Sequence, residues 1–284
     1  MTLQADKLAN WQIPEGRQTY TGRDSILYAL GIGCGMDPTD EAELQYVYED
    51  GQKAFPAMAH VLGYPGFWLK DVDLGFDWRR MLHGEQTMQL VTPIPVTGSV
   101  IGRTRVQGVY DKGPGRDAVL VTVREIQDAN TGGAIGSVTS TILIRGEGGF
   151  GGPASPPSVL KAAPDRQPEI TVDLPTSPQA ALIYRLSGDT NPLHASPQVA
   201  SVAGFPRPIL HGLSTLGVAT RAVVRACLGS DGSRLREFGA RFSAPVFPGE
   251  TIRTEIWTSG DSGSFRCRVV ERDLIVLSNG FYRF

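Results

Sequence analysis

Apolar and polar positions alternate along three stretches of the first half of the chain, 98–110, 118–126 and 134–144, which predicts strands. Within the second, Val119, Val121 and Val123 alternate with Leu120, Thr122 and Arg124, the period of a half-buried strand. A further strand with polar caps is expected at 82–90. The second half repeats these signals at 251–257, 265–271 and 274–284. Ahead of the strands in each half the period becomes helical. Residues 24–34 read as an N-capped helix ending at the glycines, and a helix carrying Ala180 to Leu186 stops at Ser187-Gly188. A longer helical segment follows in each half. The one at 41–63 is interrupted by Gly51 and Pro56. The other opens at Gly212, is apolar all round for two turns as a buried helix would be, turns amphipathic at Arg221 and Arg225, and stops at Gly229.

The two halves therefore match in outline. Tyr184-Arg185-Leu186 answers Tyr28-Ala29-Leu30, and Pro245-Val246-Phe247-Pro248-Gly249 answers Pro95-Val96-Thr97-Gly98 just before the strands. Between the halves, five glycines from Gly146 to Gly152 precede Pro153, Pro156, Pro157, Pro164 and Pro168, a composition that holds neither helix nor inner strand. We expect domains at 1–150 and 170–284 joined by a linker at 151–169. The length of 284 residues suits two units at about 150 residues each.

Composition narrows the function. With 41% hydrophobic residues, 20% charged residues and a net charge of −2, the chain reads as an ordinary soluble globular protein. It shows no basic stripe for nucleic acid and no apolar run of the ~20 residues that span a membrane. Cys34, Cys227 and Cys267 are scattered without zinc spacing, which points to a reducing compartment. Neither terminus reads as a secretory or peroxisomal address, so the cytoplasm is the default expectation. Gly31-Ile32-Gly33-Cys34-Gly35 resembles a dinucleotide loop, but its third glycine comes one residue early and Pro38 follows. Gly212-Leu213-Ser214-Thr215-Leu216-Gly217 is one residue too long for a nucleophile elbow.

The densest chemistry lies in Tyr184-Arg185-Leu186-Ser187-Gly188-Asp189-Thr190-Asn191-Pro192-Leu193-His194. Asp189 and His194 stand five residues apart around an Asn-Pro turn, and Ser196-Pro197 reads as a cap and first-turn proline for a short helix. A carboxylate and an imidazole held by one turn can share a water molecule, the minimum for general acid–base chemistry. The same residues are also ordinary turn formers. The helix at Gly212 offers unpaired N–H groups and a partial positive charge, and a glycine there lets a ligand approach the backbone. His60, in an apolar segment, reads as a satisfied core histidine, and His211 as shaping the helix start.

That run, with Ala200 six residues on and then Ala203-Gly204-Phe205 and Pro208-Ile209-Leu210-His211-Gly212, closely resembles the signature of type 2, R-specific enoyl-CoA hydratases, the MaoC-like enzymes. Ser196 departs from the aspartate many members carry. The resemblance covers nearly the whole chain. It implies an α+β fold of two tandem hot-dog units, each an antiparallel sheet wrapped around a central helix. It also implies reversible hydration of a trans-2-enoyl-CoA to the (3R)-3-hydroxyacyl-CoA. Asp189 and His194 would be catalytic and Gly212 the oxyanion donor. Asn191, His83, Gly84, Lys112 and Phe242 would contact substrate. No metal or other cofactor is implied beyond the CoA of the substrate. The partner would be an acyl-CoA thioester, with no nucleic acid or membrane, and the chain would form a homodimer. The N-terminal half has Gly35-Met36-Asp37-Pro38 where the Asp–His turn should be, so one site per chain is expected. Gly51, Pro56, Gly63 and Pro65 are compatible with room for a long or bulky acyl tail. Read from the residues alone, Lys112 is a solvated turn lysine and His83 a strand-end histidine. The competing readings are a dehydratase acting on a carrier-protein thioester at the same site, a thioesterase, and a non-catalytic acyl-CoA binding module.

Overall fold

The computed structural model describes residues 3–154, 158 and 160–284. Its backbone is one ten-stranded antiparallel sheet built twice over. In the first half β1 (Gly16–Tyr20), β2 (Met81–Leu90), β3 (Gly98–Asp111), β4 (Ala118–Asp128) and β5 (Ala134–Ile144) pair in the order β1-β3-β4-β5-β2. In the second, β6 (Ile170–Pro175), β7 (Glu237–Phe242), β8 (Thr251–Ser259), β9 (Ser262–Val269) and β10 (Leu274–Arg283) pair as β7-β10-β9-β8-β6. Reading each half outward from β2 or β7 gives the same arrangement, so the two are related as hot-dog repeats. They meet where β2 pairs with β7, Glu85 opposite Arg241, and that pair is bridged by a salt bridge of 2.6 Å.

The helices are α1 (Ala5–Ala9), α2 (Gly22–Gly31), α3 (Glu41–Leu44), α4 (Ala180–Tyr184), α5 (Pro197–Val202) and α6 (Gly212–Leu228). α2 begins two residues earlier than the sequence suggested, because the Thr21 N–H and hydroxyl both donate to the Asp24 carboxylate. α6 ends as expected: Gly229 adopts a left-handed φ of 57°, which glycine takes without a Cβ clash. Its middle is buried on all sides, and a Cβ at Gly217 would lie 2.4 Å from Ile32 Cγ2, so glycine is what lets α6 and the end of α2 touch. One core runs through both halves, from Tyr20 and Met58 to Phe265 and Tyr282. A smaller one packs α1 and the segment of Leu69 and Leu74 against β3 and β4.

Three sequence expectations change. The segment 41–63 is not a long interrupted helix but α3 and a 3₁₀ turn, Pro56–His60, whose residues are buried. The turn contacts β2, α2 and α6. Strand β4 is not half-buried: Ala118 to Thr122 are covered on both faces. Arg124, which alternation placed with the polar set, is buried too and donates to the Ala59 and His60 carbonyls. Arg221 does not open an exposed face of α6. It is buried and makes a bidentate pair with Glu43 of α3, at 2.6 and 2.7 Å, while Glu43 also accepts the Gly35 N–H. The strands missed are the two edges of the sheet, polar five-residue β1 and six-residue β6, and β7, whose Gly239-Ala240 carries little strand propensity. Of the linker expected at 151–169, residues 155–157 and 159 lie outside the described residues, and the rest has neither helix nor strand. Among the described residues no helix is long and apolar enough to cross a membrane.

Breaking a buried ion pair from one side leaves an uncompensated charge. Glu43→Ala should therefore lower the unfolding free energy by about 3–5 kcal/mol, read as an earlier urea midpoint at unchanged slope. Combining it with Arg221→Met should recover much of the loss. A single variant that unfolds at the wild-type urea concentration would show that the pair contributes nothing.

Candidate active site

Asp189, His194 and His211 converge where the turn after α4 faces the N-terminus of α6. Each of the three offers a donor atom within 4.8 Å of the other two. The turn is built by its own sequence. Gly188 takes φ 121°, releasing the chain from the helical segment ahead of it. Asp189 Oδ1 accepts the Asn191 N–H at 3.1 Å, and Asn191 Oδ1 accepts the Leu193 N–H at 3.0 Å. Pro192 opens a 3₁₀ turn, Pro192–His194, that carries the imidazole inward. Ser196 caps α5 through the Val199 N–H, as the Ser-Pro pair suggested.

His194 is buried, and its Nδ1 donates to the Ile209 carbonyl at 2.9 Å. That assignment leaves Nε2 with a free lone pair. Burial pulls its pKa below the ordinary value, against the Ile209 carbonyl and the Asp189 charge, which both favour the protonated ring. His211 stacks on it, with centroids 3.8 Å apart and planes at 27°, and donates from Nε2 to the Asp189 carbonyl at 3.1 Å. Burial, with the His194 ring second, pushes His211 down to about 4. Three such donors could also hold a metal ion. Each imidazole already gives one N–H to a carbonyl, and the lone pair that His194 keeps can equally accept a proton from a water molecule.

His211 precedes α6. Its carbonyl accepts the Thr215 N–H at 3.0 Å, and no acceptor among the described residues meets the Gly212 N–H. The Phe242 ring covers Gly212 so closely that a Cβ there would sit 3.1 Å from Cε1. His83 lies against Phe242 with centroids 4.7 Å apart. It is exposed, yet surrounding protein desolvates its imidazole enough to lower the pKa, while Asp189 acts in the opposite sense. That combination describes one wall of a groove. Gly84 is the extra residue of a bulge in β2, between His83 and Glu85, and turns His83 toward Phe242.

The structure thus gathers Asp189, His194, Gly212, Phe242 and His83. Asn191 is near, but its side-chain oxygen is taken by the cap. Lys112 stays in the β3–β4 turn, with its N–H on the Asp117 carbonyl, at the same sheet end as His83 but at the tip of β3, three strands from β2. Ser214 is fully buried and donates to the Gly31 carbonyl, far from the role of a nucleophile. His60 is a core histidine but only half satisfied: Nδ1 meets Gln86 at 3.3 Å, while Nε2 is buried without a partner. Two contributors escaped sequence reasoning. Gln86 accepts from His83 at 2.8 Å and from Ser140 at 2.6 Å, anchoring the groove histidine. Tyr64 is partly exposed, yet desolvation by the surrounding protein, with the Asp189 charge second, raises its phenol to about 12, and Arg124 lies 5.5 Å from its ring centroid. The period-2 pattern could have flagged Gln86 as a polar residue on an inward face; nothing local marks Tyr64.

Two families match the chain. Residues 18–146 match the one described as MFE-2 hydratase 2 N-terminal domain, and residues 159–279 the one described as MaoC like domain. The peroxisomal enoyl-CoA hydratase 2 of Arabidopsis thaliana is 38% identical over 96% of this chain and 93% of its own. The 3-hydroxyacyl-thioester dehydratase Y of Mycobacterium tuberculosis is 39% identical over 92% and 91%. The crystal structure of a MaoC-like dehydratase from Phytophthora capsici superposes with a TM-score of 0.87 at 33% identity, over 99% of this chain and 97% of that one.

The buried histidines make a pH prediction. In the fold, His60 is held at about 3 and His211 at about 4, both chiefly by desolvation. Unfolded, they titrate near ~6.5. Their contribution is therefore full above that value and falls as acid protonates the unfolded chain first, by about 1.4 kcal/mol per pH unit for each. Urea midpoints measured at pH 7, 6 and 5 should drop steadily, and His60→Gln should flatten the trend. Midpoints that do not move between pH 7 and 5 would contradict the burial of these rings.

Proposed function

This chain belongs to the MaoC-like, hydratase 2 family of hot-dog proteins, and from that premise we propose that it adds water reversibly to trans-2-enoyl-CoA, giving the (3R)-3-hydroxyacyl-CoA. The observation that carries the reading is the meeting of Asp189 and His194 beside the free Gly212 N–H of α6. The thioester carbonyl oxygen rests on that N–H. As water adds to C3, negative charge moves through the conjugated system onto this oxygen. A well-placed donor stabilises it by roughly 3–4 kcal/mol, helped by the dipole of a 17-residue helix. Asp189 and His194 grip the water between them. Its oxygen bonds to C3, one of its protons passes to the pair, and the pair returns a proton to C2. Atoms and electrons balance without a redox cofactor or a metal.

The lone pair on His194 Nε2 suits a base: its Nδ1 proton is already committed to Ile209, and burial favours the neutral ring. Phe242 and His83 form the wall along which the thioester arm would lie, with Gly84 shaping it. Lys112, at the same end of the sheet, would meet the CoA portion rather than the reacting carbons. Asn191 serves the reaction through its cap, by holding the Asp189 turn. The same reading includes a homodimer and a cytoplasmic location. Light scattering at twice the monomer mass would support the first.

Asp189→Asn and His194→Ala should each lower kcat for crotonyl-CoA at least ~100-fold with an unchanged far-ultraviolet spectrum. Chiral analysis of the wild-type product should return the 3R alcohol. A folded variant at near-normal rate, or a 3S product, would refute the assignment.

A further inference from the structure

Four aromatic rings from four separate elements stand one upon the next. Tyr28 of α2 lies 5.8 Å from Tyr184 of α4, Tyr184 lies 5.0 Å from His211, and His211 lies 3.8 Å from His194. All four side chains are buried, His211 at 1% exposure. The column starts in the N-terminal half and ends on the imidazole that the proposed reaction uses.

His211 is the ring in this column that meets His194, the Asp189 turn and the start of α6 together. Its face lies on His194. Its Nε2–H donates to the Asp189 carbonyl at 3.1 Å, tying down the turn that carries the carboxylate. Its backbone carbonyl accepts the Thr215 N–H, closing the first turn of α6, and the next N–H, that of Gly212, meets no acceptor among the described residues. As a core filler it is a poor choice. Its Nδ1 is buried without any partner among the described residues, a cost that a leucine or phenylalanine of similar size would not carry. Retaining an imidazole there makes sense if a donor at Nε2 and a flat face are both needed.

We infer that His211 is the positioning residue of this site, holding the His194 ring, the Asp189 turn and the α6 N-terminus in a single register without touching substrate. It is kept neutral, with its one proton on Nε2, because the Asp189 carbonyl demands a donor there. Reacting groups misplaced by about 1 Å cost on the order of 100-fold in rate, so the effect belongs in kcat rather than in substrate affinity.

The inference rests on Asp189 and His194 being the acid–base pair, and the test separates the two. A glutamine amide reaches the place of His Nε2, whereas an asparagine amide reaches only that of Nδ1. His211→Asn should therefore lose about 100-fold in kcat for crotonyl-CoA with KM within about threefold. His211→Gln, which keeps the donor but not the ring, should recover a good part of that. Equal rates in the two variants, a loss that appears in KM instead, or a His211→Asn enzyme at wild-type rate would overturn the proposal. An Asp189→Asn control run alongside isolates the underlying reading: if that control stays active, the acid–base assignment fails; if it is dead while His211→Asn is fully active, only this proposal fails. Should His211→Asn not fold, nitrogen-15 spectra of the histidine-labelled wild type decide, since they must show the proton on Nε2 of His211 and on Nδ1 of His194. The reverse tautomer on His211 would sink the idea.

Discussion

A helix wrapped by protein has to leave its first N–H groups somewhere, and the rest of this structure follows from where α6 leaves them. Its residues from Ser214 to Val224 are buried, and along its flanks the backbone is satisfied by the helix's own bonds, with the Thr220 hydroxyl adding one to the Leu216 carbonyl. The first turn has no such remedy. No side chain caps it, no acceptor among the described residues meets the Gly212 N–H, and the ring of Phe242 lies against that glycine. Filling that end with a capping serine or aspartate would stabilise the helix and close the site. The chain instead places His211 there, which gives its backbone carbonyl to Thr215 and its side chain to the neighbouring turn.

The repeated strand order supplies the frame, and the departures from it supply the site. Both halves share strand order and antiparallel register, and β2–β7 pairing merges them into one sheet. Yet among the described residues only the second half has a long central helix. In the first, a buried 3₁₀ turn takes its place and Gly35-Met36-Asp37-Pro38 replaces the Asp–His turn. What the first half contributes is a wall: His83 set by a bulge and by Gln86, and Tyr64 backed by Arg124. The buried pair between Arg221 of α6 and Glu43 of α3 binds the halves where a charge could not be left alone. The site is therefore a property of the seam, although its acid–base pair comes from one repeat.

Most of this was legible where chemistry is local. The Asp-x-Asn-Pro-x-His run specifies its own turn through two Asx-type bonds and a proline, so spacing alone predicted a rigid juxtaposition. Strands with clean period 2, such as 98–110 and 134–144, fell within a residue of their bounds. What was illegible depends on distant partners. Arg124 and Arg221 look like surface residues until carbonyls of the 3₁₀ turn and the Glu43 carboxylate, far away in sequence, receive them. Strand β7, with a glycine and an alanine at its centre, is a strand only because β2 and β10 pair with it on either side. His211 was read as shaping a helix start, but its stacking on His194 and its bond to Asp189 needed the fold.

The distribution of unsatisfied polar atoms shows where stability gave way. Of nine buried side-chain atoms without a hydrogen-bond partner among the described residues, five belong to the ring column or the Asp–His motif: Tyr28 Oη, Tyr184 Oη, Arg185 Nε, Ser187 Oγ and His211 Nδ1. Two more, His60 Nε2 and Arg124 Nε, lie behind the groove wall. Each such group costs about 1–3 kcal/mol relative to a partnered one, and a core chosen for stability alone would have none of them there. Their concentration around Asp189 and His194 is hard to reconcile with a turn that is merely structural. It fits a site in which polar groups are held ready in low-dielectric surroundings, where a fixed donor or lone pair acts on a reacting thioester more strongly than it would in water.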